Sequence, residues 1–175
     1  MNRKTIGVFL GGVLAAVAMS SFAQSEGPND AQIAGIVVAA NTADINAGKL
    51  AKSKSSNKEV KDFANRMVID HTGVNKEASA LVKKLKVKPE DSPTSKSLKD
   101  DGAAMVKKLK GLKGAEFDKA YVDNEVAYHQ TVLDAIDKTL IPSAKNAELK
   151  ELLTKTRPVI DDHLQHAKKM QSSMK

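Results

Sequence analysis

Four histidines, His71, His129, His163 and His166, fall where helical apolar stripes would otherwise carry aliphatic side chains. The stretch FANRMVIDH sets the pattern. Val60, Ala64 and Met67 lead to His71, and Val74, Ala78, Leu81 and Leu85 follow. Residues three or four apart share a helix face, so this spacing turns His71 inward. His129 takes the same place in the run Val122, Glu125, His129, Val132, Ile136. His163 lies between Ile160 and Ala167, with His166 at the edge of that stripe.

Neutral imidazoles and carboxylates that converge at one depth are a ligand set for a divalent ion. Glu125 and His129 at i,i+4 can ligate together, as can Asp162 and His166. The candidate metal ligands are therefore His71, Glu125, His129 and His163, with Asp44, Asp70, Asp162 and His166 supplementary. Met67 precedes His71 by one turn, and His166, Met170 and Met174 are spaced by four. Imidazole with thioether suits copper better than iron. The same residues also have a structural reading. Each histidine then hydrogen-bonds a neighbouring carboxylate or carbonyl, the methionines fill core gaps, and the polar layer fixes helix register.

Four amphipathic helices must position these groups. The first starts near Asn29 or Asp30, with Gln32 reaching back to Asn29, and carries Ile33, Ile36, Ala40, Ala43, Ala47 and Leu50 on its seam. Ser56 and Glu59 form an S-x-x-E capping box for the second, which runs to about Lys86. The third spans roughly Ala115 to Thr139, and Ile141-Pro142-Ser143 is the turn into the fourth, about Ala144 to Met170. Pro158 inside that last helix predicts a kink or a restart. Residues 87–114 make the long link, with a short helix or loose crossover at Leu98 to Leu109. Two short links flanking one long one predict an all-α, ferritin-like four-helix bundle of two antiparallel hairpins with a crossover after the second helix. His71, Glu125, His129 and Asp44 all lie near the middle of their helices, and His163 just past it, so they meet at mid-bundle.

The N-terminus reads as an address. Asn2-Arg3-Lys4 precedes an apolar run from Ile6 to Met19, and Ser21-Phe22-Ala23 offers a cleavage site. The expectation is a signal peptide over 1–23, cleaved after Ala23, and a single periplasmic domain over 24–175 with no transmembrane span. The chain contains no cysteine, so disulfides, thiolate ligation and cysteine catalysis are excluded. The net charge of +7 comes from many lysines, with few aromatics to stack on bases. Nucleic acid is not an expected partner, and weak contact with anionic envelope surfaces is the charge-based alternative. No G-x-S-x-G, H-E-x-x-H or Gly-rich phosphate loop occurs. No Glu-x-x-His occurs either, which disfavours a di-iron oxidase or ferroxidase. No catalytic residue and no organic cofactor site is assigned.

The blocks FANRMVIDHTGVNKEASAL, FDKAYVDNEVAYHQTVLDAI and RPVIDDHLQHAKKM, in that order, resemble the bacterial "domain of unknown function 4142" family over about Asp30 to Met170. The matching positions are Met67-Val68-Asp70-His71, then His129, then Pro158 with His163-Leu164-Ala167. Tyr128 departs from the pattern, standing where an acidic residue often precedes the second histidine. The resemblance implies exported proteins of the ferritin-like superfamily, many of them labelled outer membrane proteins. Helical periodicity and scarce aromatics do not suit a membrane barrel.

Three functions follow from these readings. The first is a non-catalytic periplasmic helical protein binding a ligand or partner in envelope stress or homeostasis. The alternative is a periplasmic metal-binding protein taking copper, zinc or iron through His, carboxylate and Met side chains. The third, a hydrolytic enzyme, has only the central polar patch in its favour.

Overall fold

Asn29 opens the first helix with a reciprocal cap. Its Oδ1 accepts from the Gln32 N–H at 2.8 Å, and Gln32 Oε1 accepts from the Asn29 N–H at 3.1 Å. That is the box those two residues predict. The structure, a computed structural model, describes residues 27–174. The expected signal peptide and its cleavage point lie outside the described residues. The helices are α1 (Asp30–Lys54), α2 (Lys58–Lys84), α3 (Pro93–Gly111), α4 (Gly114–Ala135), a π-helical turn (Ile136–Leu140), α5 (Ile141–Ser143) and α6 (Ala147–Ser173). The protein is all-helical, with no strand among the described residues.

Several local expectations need correction. α2 is capped by Asn57, not Ser56: Asn57 Oδ1 accepts from the N–H groups of Glu59 and Val60. Asn is at least as good an N-cap as Ser, and the extra residue brings its oxygen level with both donors. Of the two readings of the long link the structure has the helix, longer than Leu98 to Leu109, and not the loose crossover. Ser92 and Ser95 cap each other, and Pro93 takes the first helical position, where its missing N–H costs nothing. The helix they start runs for 19 residues and packs on α1, with Leu109 fully buried. The turn before the last helix also moves. α4 continues through the π-helical turn to Ser143, and Asp30 accepts from the N–H groups of Lys145 and Asn146 beyond it. α6 does not restart at Pro158 but continues through it. Leu149, Leu152 and Leu153 before the proline and Ile160 and Leu164 after it are all buried. Packing on both sides outweighs one lost backbone hydrogen bond.

α1 packs on α2 and α3, α4 on α6, and α2 also meets α6. Because α1 is covered from several directions, its buried residues do not form the single expected stripe. Ala34, Asn41, Asp44, Gly48 and Ala51 are buried, whereas Ala40, Ala43 and Leu50 are half-buried. A Cβ at Gly48 would lie 3.1 Å from the Ala64 carbonyl oxygen, so the bare α-carbon lets α1 approach α2 closely.

The core has two apolar clusters. One holds Ala47, Ala51, Val60, Phe63, Met67, Leu109, Phe117, Tyr121 and Met170 among others. The other holds Ile33, Ile36, Leu133, Ile136, Leu140, Leu149, Leu153 and Ile160 among others. In α1 and α4 the residues between the two sets include buried polar ones: Asn41 and Asp44, and Glu125 and His129. Among the described residues no helix is long and apolar enough to cross a membrane.

Candidate metal centre

The apolar stripes of α2, α4 and α6 bury His71, His129 and His163 for the reason that buries their aliphatic neighbours: each occupies a seam position. All three are 3% exposed or less, as are Asp44 of α1 and Glu125 of α4. The imidazole centroids lie 5.6 Å (His71–His129), 5.3 Å (His71–His163) and 5.4 Å (His129–His163) apart. One ring nitrogen from each of the three lies within 4.8 Å of the other two, and one ligand atom each from Asp44, Glu125 and His129 forms a second such group. Nitrogens on one tetrahedral zinc with bonds of about 2 Å would stand roughly 3.3 Å apart, within reach of small side-chain rotations.

What each ring does with its other nitrogen decides the chemistry. His71 Nδ1 lies 2.8 Å from Asn41 Oδ1, and Asn41 is oriented by donating its Nδ2–H to Asn75 Oδ1 at 3.0 Å. His129 Nδ1 lies 2.9 Å from the Glu125 carbonyl oxygen. His163 Nε2 lies 2.9 Å from Asp70 Oδ2, and Asp70 accepts from Arg66 at 3.2 Å. Each partner is an acceptor, so each of these nitrogens carries the proton. The lone pairs are left on His71 Nε2, His129 Nε2 and His163 Nδ1. Those three atoms are buried with no hydrogen-bond partner. This is how metal-ligating histidines are held, with an outer acceptor fixing the tautomer.

The carboxylates repeat the pattern. Both side-chain oxygens of Asp44 and both of Glu125 are buried with no hydrogen-bond partner outside this polar layer, as is the Tyr121 hydroxyl. His71 Nε2 approaches Asp44 Oδ2 to 2.9 Å, so in the metal-free protein a proton between them takes the place an ion would fill. Each unpartnered buried polar atom costs about 1–3 kcal/mol, so a layer with so many of them is unfavourable unless something satisfies them together.

Electrostatics sorts the protonation states. Burial and the Asp44 charge raise the Glu125 carboxyl well above its usual range. Burial opposes ionisation of Asp44 as well, but His71 and His129 outweigh it and hold Asp44 below its usual range. Two close buried carboxylates thus share one proton, and it resides on Glu125. Burial lowers His129 against the pull of Asp44, and lowers His163 to about 4 despite Asp70. Both rings are neutral near pH 7, the form that ligates.

Not every candidate residue joins the group. Asp70 holds His163 from outside. Asp162 is exposed and ion-paired to Arg66 at 2.5 Å. His166 is half-buried and stands edge-on to Phe63, with centroids 5.1 Å apart. Among the described residues, neither Asp162 nor His166 belongs to a group of three ligand atoms close enough to share an ion. Met67 and Met170 lie in the apolar cluster with Phe63 and Phe117, and Met174 packs against it. Two participants were not foreseen as polar: Asn41, three residues before Asp44, and Tyr121, four before Glu125. Their i,i+3 and i,i+4 spacing to a candidate ligand was the available signal.

Fold and site define a class of helical proteins with a buried histidine–carboxylate centre compatible with metal binding. Within it, the chain belongs to the family described as "Domain of unknown function (DUF4142)", whose model matches residues 15–170. The resemblance carried by the three sequence blocks is thereby borne out. No curated protein and no solved structure matches the chain.

Proposed function

We propose that this protein binds one divalent transition-metal ion through His71, His129 and His163, with Asp44 and Glu125 completing the shell. The observation that carries this reading is the three buried, unpartnered imidazole nitrogens on three helices, each ring oriented by an acceptor on its other side. Imidazole with carboxylate suits zinc, copper(II) and iron(II). With Met67 and Met170 in the apolar cluster, the thioether argument for preferring copper falls away. The ion serves as the ligand of a non-catalytic protein of the bacterial envelope, in metal homeostasis or stress. The apolar run at Ile6–Met19 and the site at Ala23 support export to the periplasm as a single domain over 24–175.

A ferritin-like arrangement belongs to the same proposal. α1 and α6 meet the Ile33–Leu133 cluster first and the Phe63–Met170 cluster second, whereas α2 and α4 meet them in the opposite order. That order supports two antiparallel hairpins, α1–α2 and α4–α6, with α3 running back along the crossover.

Elemental analysis of the purified protein, with calorimetric titration of the metal-stripped chain by Zn²⁺, Cu²⁺ and Fe²⁺, tests the reading. About one ion per chain is expected, lost in a His71→Ala, His129→Ala double variant. Unchanged binding in that variant would overturn it.

A further inference from the structure

A cavity of about 110 Å³ lies between α1, α3 and α4, and Asp44 is part of its wall. Asp101, Gly102 and Met105 of α3 line it, with Asn124 and Tyr128 of α4. None of the side chains lining it is positively charged. That is informative on this surface. α3 alone carries Lys96, Lys99, Lys107, Lys108 and Lys110, and the chain has net charge +7. The cavity instead has Asp101 on its α3 side, and it is bordered on its α1 side by Asp44, whose side chain is fully buried behind the wall. Asp101 is exposed on α3, and its Oδ2 accepts from Ser97 at 3.0 Å. Asp44 is 2% exposed, and its oxygens have no hydrogen-bond partner outside the buried polar layer.

We propose that this cavity is an outer cation-binding station and the access route to the buried centre. Asp101 captures a hydrated divalent cation, Asn124 and Met105 supply a carbonyl oxygen and a thioether on the way, and Asp44 passes the ion to the imidazoles. This rests on the metal-binding reading above and adds the path. Tyr128 forms a fixed wall, because its hydroxyl donates to the Ala40 carbonyl at 2.8 Å. α3 is the opposite wall. At Gly102 a Cβ would stand 2.6 Å from the Ala43 Cβ, so α3 lies on α1 as closely as the bare α-carbon allows. A cation entering here leaves water in stages, which lowers the barrier to reaching a site with no exposed ligand.

The test compares two variants of equal charge. Asp101→Lys places a cation at the mouth, and Asp100→Lys makes the same change one residue away, outside the cavity lining. Uptake of Co²⁺ by the metal-stripped protein is followed in a stopped-flow instrument at low ionic strength through the visible absorption of the bound ion. Asp101→Lys should slow uptake about tenfold or more with the final occupancy unchanged, and Asp100→Lys should stay within about twofold of wild type. The gap should narrow at about 0.5 M salt. Asp101→Asn, which keeps the shape of the side chain, should fall between wild type and Asp101→Lys. Equal rates for the Asp100 and Asp101 variants would overturn the route alone. Wild-type protein that takes up no ion would overturn the centre and the route together.

Discussion

At the scale of single residues, the outer partners decide whether the imidazoles are ligands or ordinary buried rings. Asn41 is the clearest case. Its oxygen accepts from His71 Nδ1 at 2.8 Å, which leaves Nε2 bare toward Asp44. An Asn41→Leu side chain has similar bulk and no acceptor, so His71 loses both its tautomer preference and its ring orientation. Such losses typically cost 10- to 100-fold in metal affinity. We expect Asn41→Leu to weaken Zn²⁺ by about that factor in competition with a chelator, while still binding one ion per chain. If Asn41 merely filled space, the affinity of the folded variant would not move. Asp162 and His166 show the opposite lesson at this scale. Asp162 is the neighbour of His163 in sequence, but one residue is about 100° of helix rotation, which turns it away from the seam. His166 shares the face of His163 but sits a turn further along, against Phe63.

At the scale of elements, the stripes of α2, α4 and α6 were legible and that of α1 only in part, whereas of the ends only the Asn29–Gln32 box was read in place. The spacing of Val60, Met67, His71 and Ala78, or of Ile160, His163 and Ala167, survives any small error in helix limits, because burial follows from periodicity alone. That is why the depth of the three imidazoles could be read from the chain. Caps depend on single hydrogen bonds, and adjacent Ser56 and Asn57 compete for the same role. α3 starts earlier than Leu98 because its start signal, Ser92-Pro93, lies inside a polar stretch that reads as a connection. Tyr121 is a core residue by its ring, which packs with Phe63 at 6.3 Å, and only its depth makes the hydroxyl significant. The cap assignment gives a direct comparison. Asn57→Ala should lower the unfolding free energy by about 1 kcal/mol, whereas Ser56→Ala should stay within about 0.5 kcal/mol of wild type. Urea melts of both variants check this, and a larger loss at Ser56 would return the cap to the S-x-x-E box.

At the scale of the whole molecule, the buried polar groups tie stability to pH, and the sign differs from group to group. Take the metal-stripped protein in chelator. His163 titrates near 4 when folded and 6.5 when unfolded, so between those values the unfolded chain holds the extra proton. Stability from this ring is therefore present above pH 6.5 and lost as pH falls toward 4, about 3 kcal/mol at most. His129 is also lowered from 6.5 and acts in the same direction. Glu125 opposes them: it is raised above 4.5, so the folded state holds its proton and stability declines as pH climbs past 4.5. From 4.5 to 6.5 the rings and the carboxyl act in opposite directions, and above 6.5 the carboxyl acts alone. From these groups the stripped protein should be most stable between pH 4.5 and 6.5, with losses on both sides. Zn²⁺ should abolish the alkaline loss, because an ion takes the place of the proton on Glu125 and binding releases protons. Urea midpoints from pH 4 to 9, with chelator and with Zn²⁺, measure both curves. A Glu125→Gln variant should lose the alkaline decline even in chelator. A stripped wild-type protein whose stability keeps rising to pH 9 would mean that Glu125 is already ionised in the folded state, and the shared proton with Asp44 would have to be abandoned.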